Sequence, residues 1–249
     1  GNTHSIEKID AIWTDNMFKG VKYFKDWNEY LEKFKKYNHV FGISKWNYSD
    51  KEEPKYIQTN YQCLQTLDLP KEEFIKIADY SKQWVERILS GDLLYLLKFL
   101  GKDEDSSKYI KAIRKNPDMI KDPAVQAYVR GLLKGFIKEM KLGKLLIHGS
   151  YKFLIPDLEG FMQHAGGLQV TGCLKAGEFY SKGLHGEHLI NRNPHITPSE
   201  HAILNAVEND FTKKYCKHLS NVCMLNFHDI TSKRLNGADF DGDGVIVTD

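Results

Sequence analysis

The stretch "RLNGADFDGDGVIVTD", residues 234–249, places three aspartates at alternate positions and follows them with an apolar run. Three carboxylates this close repel one another, and a bound cation is the usual way to neutralise them. In an extended segment alternate side chains lie on one side, so Asp239, Asp241 and Asp243 share a side and Phe240 points away. The glycines that follow the second and third aspartates let the backbone bend, so that the carboxylates converge. The stretch therefore predicts oxygen ligands for a hard cation such as Mg²⁺.

Two other interpretations fit the same residues. The spacing matches the first half of an EF-hand calcium loop, with Gly244 as its required glycine and Ile246 as its apolar position. An EF-hand loop lies between two helices, however, whereas "HDITSKRLNGA" (228–238) is turn-like and "VIVT" (245–248) is typical of a strand. The other interpretation is a solvated acidic turn without function, since aspartate and glycine are common turn residues. The alternate spacing of the carboxylates favours a metal site.

The composition bounds the class of protein. The chain has 249 residues, of which 41% are hydrophobic and 12% aromatic, enough for a substantial buried core. Its net charge of +2 does not by itself indicate a nucleic-acid-binding protein. The four cysteines include no C-x-x-C pair, which favours reduced thiols. No apolar run reaches the roughly 18 residues of a membrane span, and no signal-peptide pattern is present, so we expect a cytoplasmic protein without membrane contact.

The first part of the chain has the pattern of helices. Apolar residues recur at helical spacing in three segments, with a capping-box pattern at Asp26 and Glu29 and a helix start at Asp122-Pro123. The aromatic residues of these segments are interpreted as the core between the helices. The predicted helices cover residues 26–37, 71–90 and 123–142.

After residue 143 the pattern changes to short apolar or alternating runs separated by glycine, proline and aspartate. Such runs are typical of strands joined by tight turns and predict a small barrel or a sandwich. The predicted strands lie within residues 144–150, 151–157, 168–174, 177–183, 187–194, 222–227 and 245–249.

One helix is predicted to interrupt these strands. Thr197 and Glu200 form a capping-box pattern with proline at the first helical position. Ile203, Ala206 and Val207 then continue at helical spacing, which predicts that they point inward.

Three motifs of the second part together resemble a known family of enzymes. "GADFDGD" (237–243) is similar to the metal-binding signature of multisubunit RNA polymerases and to the D-x-D-G-D signature of cellular RNA-dependent RNA polymerases. "HLINRNPHITPSEHAIL" (188–204) resembles the strand-turn-helix with an Arg-x-Pro core that precedes this signature. "IPDLEGFMQHAGGLQVTGCLKAGEFY" (155–180) resembles the "PD-x-x-G … L-x-x-GE" run of the RNA-dependent and single-chain phage enzymes. The resemblance to this two-barrel RNA polymerase superfamily covers residues 144–249 well and the helical part only around 60–67.

The resemblance implies an α+β fold, with a helical connector region (1–142) followed by a double-psi β-barrel (143–249) that carries the "DFDGD" loop. It implies a magnesium-dependent nucleotidyltransferase, an RNA polymerase that adds rNTPs to an RNA 3′ end. Asp239, Asp241 and Asp243 match the catalytic, metal-binding residues of the family. A second ion would arrive with the NTP, and Mn²⁺ would be a substitute for Mg²⁺.

Three cations are candidates for nucleotide binding. Arg192 matches the motif arginine, which implies a contact with the ribose of the incoming nucleotide; the plain alternative is a strand-end arginine paired with an acid. Lys233 and Arg234 lie beside the acidic loop in sequence, where a polyphosphate would arrive.

Two departures from the family pattern bear on the function. The multisubunit enzymes have an asparagine where this chain has Gly237, which puts sugar discrimination in question and favours the RNA-dependent and phage group. These polymerases also use a second barrel, and nothing in residues 1–140 has a barrel pattern. We therefore expect a second barrel in cis or in trans, without which the chain is inactive.

The expected partners are a DNA or RNA template, the RNA product and rNTPs, in a bacterial or phage-infected cell. The alternative function is a binding module in which a Ca²⁺ or Mg²⁺ loop stabilises the fold without catalysis. A zinc site at His185 and His188 is disfavoured, because no cysteine lies at the spacing of a zinc site. Two groups of lysines fit an RNA backbone or a solvated face equally: Lys134, Lys138, Lys141 and Lys144, and Lys213, Lys214 and Lys217.

Overall fold

The computed structural model describes residues 19–40, 55–101 and 107–248, which form helices followed by a sheet. The α-helices are α1 (Trp27–Lys36), α2 (Tyr61–Gln65), α3 (Lys71–Leu89), α4 (Leu93–Phe99), α5 (Lys108–Lys115), α6 (Pro123–Lys141), α7 (Leu158–Ala165) and α8 (Thr231–Arg234). The strands are β1 (Tyr56–Gln58), β2 (Leu146–Pro156), β3 (Glu178–Tyr180), β4 (Gly186–Arg192), β5 (Ala202–Ala206), β6 (Val222–Leu225) and β7 (Gly244–Thr248).

The three helices predicted from the sequence are confirmed as α1, α3 and α6. The Asp26 carboxylate accepts a hydrogen bond from the Glu29 backbone at 2.9 Å and so caps α1. Asp122 caps α6 in the same way, and Pro123 occupies its first position, where no backbone N–H is needed. Helices α4 and α5 were not predicted, although Asp92 and Ser107 cap them with their side chains.

The helices α3 to α6 enclose one apolar core, and Trp84 and Phe136 pack against it, so the interpretation of the aromatic residues as core is confirmed for α3 and α6. It is not confirmed for α1, which has no buried residue. The fully buried members of this core come from all four helices. They are Val85, Ile88, Leu96, Leu100, Ile110, Ile113, Val125, Val129 and Leu133.

The strands β2 to β7 close into a barrel. The order around it is β2-β6-β3-β5-β4-β7, and β7 pairs with β2 to complete the circle. The β2–β6 and β3–β5 pairs are parallel, and the other four pairs are antiparallel. The predicted α+β class, with helices followed by a barrel, is therefore confirmed. The domain division at 142/143 stays a prediction, and residues 1–18, 41–54 and 102–106 of its helical part lie outside the described residues.

The inside of the barrel is filled by side chains at alternate positions of its strands, as the period of two in a strand requires. The core includes Leu154, Phe179, Ile190, Leu204, Val245 and Val247. On β7 the intervening Ile246 and Thr248 are also buried, because the second face of this strand is covered as well.

The helical and barrel parts are joined by hydrogen bonds. The short strand β1, in the region where only helices were predicted, pairs antiparallel with the start of β2, with Tyr56 opposite His148. The Ser81 hydroxyl of α3 accepts a hydrogen bond from the Leu146 backbone at 2.7 Å. Residues 144–150 and 151–157, predicted as two strands, therefore contribute to one long strand, β2.

The predicted helix after Thr197 is wrong. The capping box at Thr197 and Glu200 is present, but it starts a 3₁₀ turn of three residues, and the chain then enters β5. Buried and exposed residues alternate along β5, so Ile203, predicted to point inward, is 67% exposed whereas Leu204 is buried. Pairing with β3 and β4 outweighs the local helix signal. The strand predicted at 168–174 is also wrong, since this segment is irregular.

Within the described ranges, no helix has the length and apolar character needed to cross a lipid bilayer.

The register of β5 can be tested with a pair of alanine substitutions. Leu204→Ala removes a core side chain and is expected to lower the free energy of unfolding by about 2–5 kcal/mol. Ile203→Ala, on the exposed side, is expected to cost less than about 1 kcal/mol. Urea unfolding of both variants measures the difference, and equal losses would contradict the strand register.

Candidate metal and nucleotide site

The acidic loop, residues 236–243, connects α8 to β7 at one end of the barrel. The loop is anchored at its start and in its middle, because Leu235, which precedes it, is buried in the barrel core and Phe240 packs against that core. The backbone carbonyl of Asp243 accepts a hydrogen bond from the Leu154 N–H of β2 at 2.8 Å. The end of the loop is therefore fixed to a strand of the barrel, which suits a site that must hold its geometry.

The three aspartates converge as the sequence predicted. Each offers one carboxylate oxygen, and these oxygens lie within 4.8 Å of one another. Asp239 is exposed, whereas Asp241 and Asp243 are half-buried. Phe240 points away from the carboxylates toward the core, as alternation along the chain predicted. Three converging carboxylates fit a hard divalent cation, which prefers oxygen ligands and keeps open positions for water or phosphate.

Arg192 contacts this loop at both of its ends. Its Nη2 atom lies 2.7 Å from Oδ2 of Asp243, and its Nη1 atom donates to the carbonyl of Asn236 at 2.7 Å. Arg192 is the last residue of β4 and lies opposite Val245 of β7, which places its side chain beside the loop. Arg192 thus pairs with an acid in this structure, as the alternative to a nucleotide-binding role predicted. A contact of Arg192 with a nucleotide stays a prediction.

The surroundings of Asp243 keep its carboxyl group ionised. Burial raises the pKa of Asp243, but the hydrogen bond from the Asp239 backbone and the neighbouring Arg192 charge outweigh it, so that the pKa is lowered below its ordinary value. The Asp239 N–H donates to Oδ2 of Asp243 at 3.0 Å. At neutral pH Asp243 is therefore the anion that a metal site requires.

The two cations predicted beside the loop lie in different environments. Arg234, at the end of α8, donates from Nε and Nη2 to the backbone carbonyls of Ser199 and His201, both at 2.9 Å. It therefore ties α8 to the turn that precedes β5. Lys233 is exposed to solvent. Binding of a nucleotide by either residue stays a prediction.

A layer of polar residues behind Arg192 was not found from the sequence. The His201 ring bonds to the Asn191 side chain through Nδ1 and to the Thr66 hydroxyl through Nε2, both at 2.8 Å. Burial lowers the pKa of His201, so the ring is neutral at pH 7. This chain of contacts links α2 to β4, one residue before Arg192.

The "PD-x-x-G" motif has a structural explanation. Asp157 is 1% exposed, and its carboxylate accepts hydrogen bonds from the backbone N–H groups of Gly160, Cys173 and Leu174. A Cβ atom at Gly160 would collide with the ring of Phe227. The motif therefore organises the segment between β2 and β3. The spacing of residues in the sequence did not indicate this structural role.

Two of the remaining candidates have partners outside the acidic loop. His188 bonds through Nε2 to the His185 carbonyl at 3.2 Å. In the described part of the chain, the three aspartates are the one group of three or more histidine, cysteine or acidic residues whose ligand atoms converge. Lys144 pairs with Glu139 at 2.9 Å. A contact of the lysine groups with RNA stays a prediction.

A closed barrel that carries a converging acidic loop is the arrangement predicted for a catalytic barrel of the two-barrel RNA polymerases. The chain is 29% identical over 255 residues to the DNA-directed RNA polymerase YonO of Bacillus phage SPbeta. The alignment covers 98% of this chain and 29% of that polymerase, so the chain spans less than a third of its relative. This similarity to a phage RNA polymerase confirms the resemblance to RNA polymerases that the sequence motifs indicated.

The chain was also compared with solved structures and with protein-family models. Superposition on the RNA-dependent RNA polymerase QDE-1 from Thielavia terrestris gives a TM-score of 0.49 at 16% sequence identity, over 79% of this chain and 25% of that chain. No protein-family model matches the chain.

The turn that precedes α8 provides a test by pH. Burial raises the pKa of Asp229, but hydrogen bonds from the Gly177 and Thr231 backbones outweigh it and lower the pKa below its ordinary value. A depressed folded pKa stabilises the protein above the unfolded pKa of about 3.9, and this stabilisation disappears as the pH falls through the folded pKa. Asp229→Asn is therefore expected to cost about 1–2 kcal/mol at pH 7 and progressively less toward pH 3.

Urea unfolding from pH 7 to pH 3 measures this difference, with Asp210→Asn on the exposed surface as the control. A cost of Asp229→Asn that does not change with pH would contradict the assignment.

Proposed function

We propose that this chain is the metal-bearing catalytic half of a template-directed RNA polymerase, which uses Mg²⁺ to transfer the nucleotidyl group of an rNTP to an RNA 3′ end and releases pyrophosphate. The observation that carries the proposal is the convergence of Asp239, Asp241 and Asp243 on a loop anchored to the barrel. The similarity to a phage RNA polymerase along nearly the whole chain supports it.

The proposed roles follow from the chemistry of the residues. Asp239, Asp241 and Asp243 would hold Mg²⁺, or Mn²⁺ in its place, and a second ion would accompany the NTP. A bound divalent ion supplies activation of the attacking hydroxyl and stabilisation of the leaving oxygens. Arg192 orients the ribose, and Lys233 and Arg234 provide positive charge for the triphosphate. The anchored loop keeps the carboxylates in place during the transfer.

The proposed partners are a nucleic-acid template, the RNA product and a second barrel. Since the chain spans 29% of the polymerase YonO, we propose that the second barrel is supplied in cis or in trans and that this chain alone is inactive. The relative is named a DNA-directed enzyme, which makes DNA the first template to test. Its phage origin supports a role in a phage-infected or bacterial cell.

Substitution of one metal ligand tests the proposed catalysis. Asp241→Asn keeps the size of the side chain but removes its charge, and an amide is a poor ligand for Mg²⁺. We expect RNA extension by the complete polymerase, with both barrels, to fall by more than about 100-fold. Primer extension on matched DNA and RNA templates, with Mg²⁺ and all four rNTPs, measures this loss. It also shows whether the polymerase copies DNA or RNA.

The matched control is Asp210→Asn, which removes the same charge from an exposed position outside the acidic loop. Its extension rate should equal that of the unmodified polymerase. Unchanged extension by Asp241→Asn, beside an active control, would rule out the proposed catalysis.

Metal preference distinguishes the polymerase from a binding module with a structural Ca²⁺ or Mg²⁺ loop. The loop is followed at once by the strand β7 rather than by a helix, so the EF-hand arrangement does not fit. We expect Ca²⁺ to leave the melting temperature of the chain nearly unchanged and Mn²⁺ to bind weakly, because three carboxylates do not complete a calcium shell. Thermal unfolding with each ion measures this, and strong stabilisation by Ca²⁺ alone would favour the binding module.

A further inference from the structure

The position of Arg192 has a consequence for metal binding itself. The same carboxylate that is a candidate metal ligand, Asp243, forms the ion pair with Arg192 at 2.7 Å. We propose that Arg192 and the metal ion compete for Asp243, so that Arg192 is an internal counter-ion that sets the metal affinity of the acidic loop. This inference rests on the metal site of the proposed function and adds a regulatory role for one of its residues.

The competition involves one oxygen atom of the Asp243 carboxylate. Oδ2 of Asp243 receives the guanidinium of Arg192 and the backbone N–H of Asp239. An oxygen that accepts two N–H groups has little capacity left for a metal ion. If the ion instead binds the other oxygen of Asp243, it still lies close to a full positive charge, and the two cations repel each other.

The ion pair between Arg192 and Asp243 is largely shielded from water. The side chains of Arg192 and Asp243 are 15% and 21% exposed, so water screens the pair much less than it screens a surface pair. The repulsion between Arg192 and a bound cation is screened equally little. The affinity of the loop for a divalent ion is therefore lower with Arg192 in this position than without it.

Arg192 has a second partner that remains when its contact with Asp243 is lost. Its Nη1 atom is held independently by the Asn236 carbonyl, at the start of the loop. When Asp243 turns to a metal ion, Arg192 keeps this second partner, so that one side of its guanidinium becomes available without loss of the anchor. A released guanidinium fork suits a nucleotide oxygen. Metal binding and nucleotide binding then favour each other, as linkage between two sites requires.

The charge of Arg192 and its hydrogen-bonding geometry contribute separately to the metal affinity of the acidic loop. Two substitutions of Arg192 can distinguish these contributions. Arg192→Gln removes the positive charge and keeps a hydrogen-bond donor, whereas Arg192→Lys keeps the charge and loses the fork. Competition by charge predicts a change in metal affinity for glutamine and little change for lysine. Arg234→Gln is the matched control, because Arg234 contacts two backbone carbonyls rather than a carboxylate of the loop.

The experiment titrates the 249-residue chain with Mn²⁺ alone and measures the free ion by electron paramagnetic resonance at neutral pH. Removing one nearby charge is expected to lower the Kd of Arg192→Gln for Mn²⁺ by about 5- to 10-fold relative to the unmodified chain. Arg192→Lys and Arg234→Gln are expected to stay within about 2-fold of the unmodified chain. The Nε–H resonance of Arg192 in the unmodified protein should also shift with Mg²⁺, while that of Arg234 should not. This second measurement does not depend on the folding of the glutamine variant.

The possible outcomes separate this proposal from the one it rests on. If the chain binds Mn²⁺, Asp241→Asn abolishes binding and Arg192→Gln binds no more tightly, the competition is overturned and the metal site stands. An Arg192 resonance that does not respond to Mg²⁺ overturns the competition as well. If neither the unmodified chain nor Arg192→Gln binds Mn²⁺ at millimolar concentration, the metal site and the proposed function fail together.

Discussion

The double pairing of β7 is the interaction on which the rest of the barrel and its site depend. The strand bonds to β2 on one side and to β4 on the other, and this closes the barrel. The same pairing brings the end of β4, with Arg192, next to the loop that enters β7. A loop with three like charges can be held here because four consecutive residues of β7, Val245–Thr248, are buried. The hydrophobic burial of this strand thus offsets the repulsion that the loop concentrates.

Two carboxylates show how environment divides the roles of identical side chains. Asp157 is almost completely buried and is surrounded by backbone N–H groups, so its position is fixed and it acts as a structural anchor. Asp243 is partly exposed and has one side-chain partner, the guanidinium of Arg192, beside a backbone donor. The first arrangement leaves no room for a ligand, whereas the second contains a partner that a cation can replace.

Local signals predicted three of the eight described α-helices, among them the two longest, α3 and α6, and five of the seven strands. Capping residues such as Asp26 and Asp122 act within a few residues of the chain, so their effect is visible in the sequence. The segment after Thr197 shows the limit of such signals. Its capping box is real, but the following residues extend because two neighbouring strands offer hydrogen bonds along their whole length. Propensity is worth a few tenths of a kcal/mol per residue, which strand pairing and core burial readily exceed.

The sequence by itself indicated the convergence of the three aspartates, because they lie close together in one short loop in which Gly242 lets the backbone turn. It also determined the resemblance to the polymerases, since each of the three motifs is an uninterrupted stretch of the chain. Only the tertiary structure decided what Arg192 contacts, because Asp243 lies 51 residues away and reaches Arg192 through the pairing of β4 with β7. The support of Asn191 by His201 and Thr66 likewise required the packing of α2 on the barrel. Contacts between distant segments depend on strand register and packing, which no local pattern encodes.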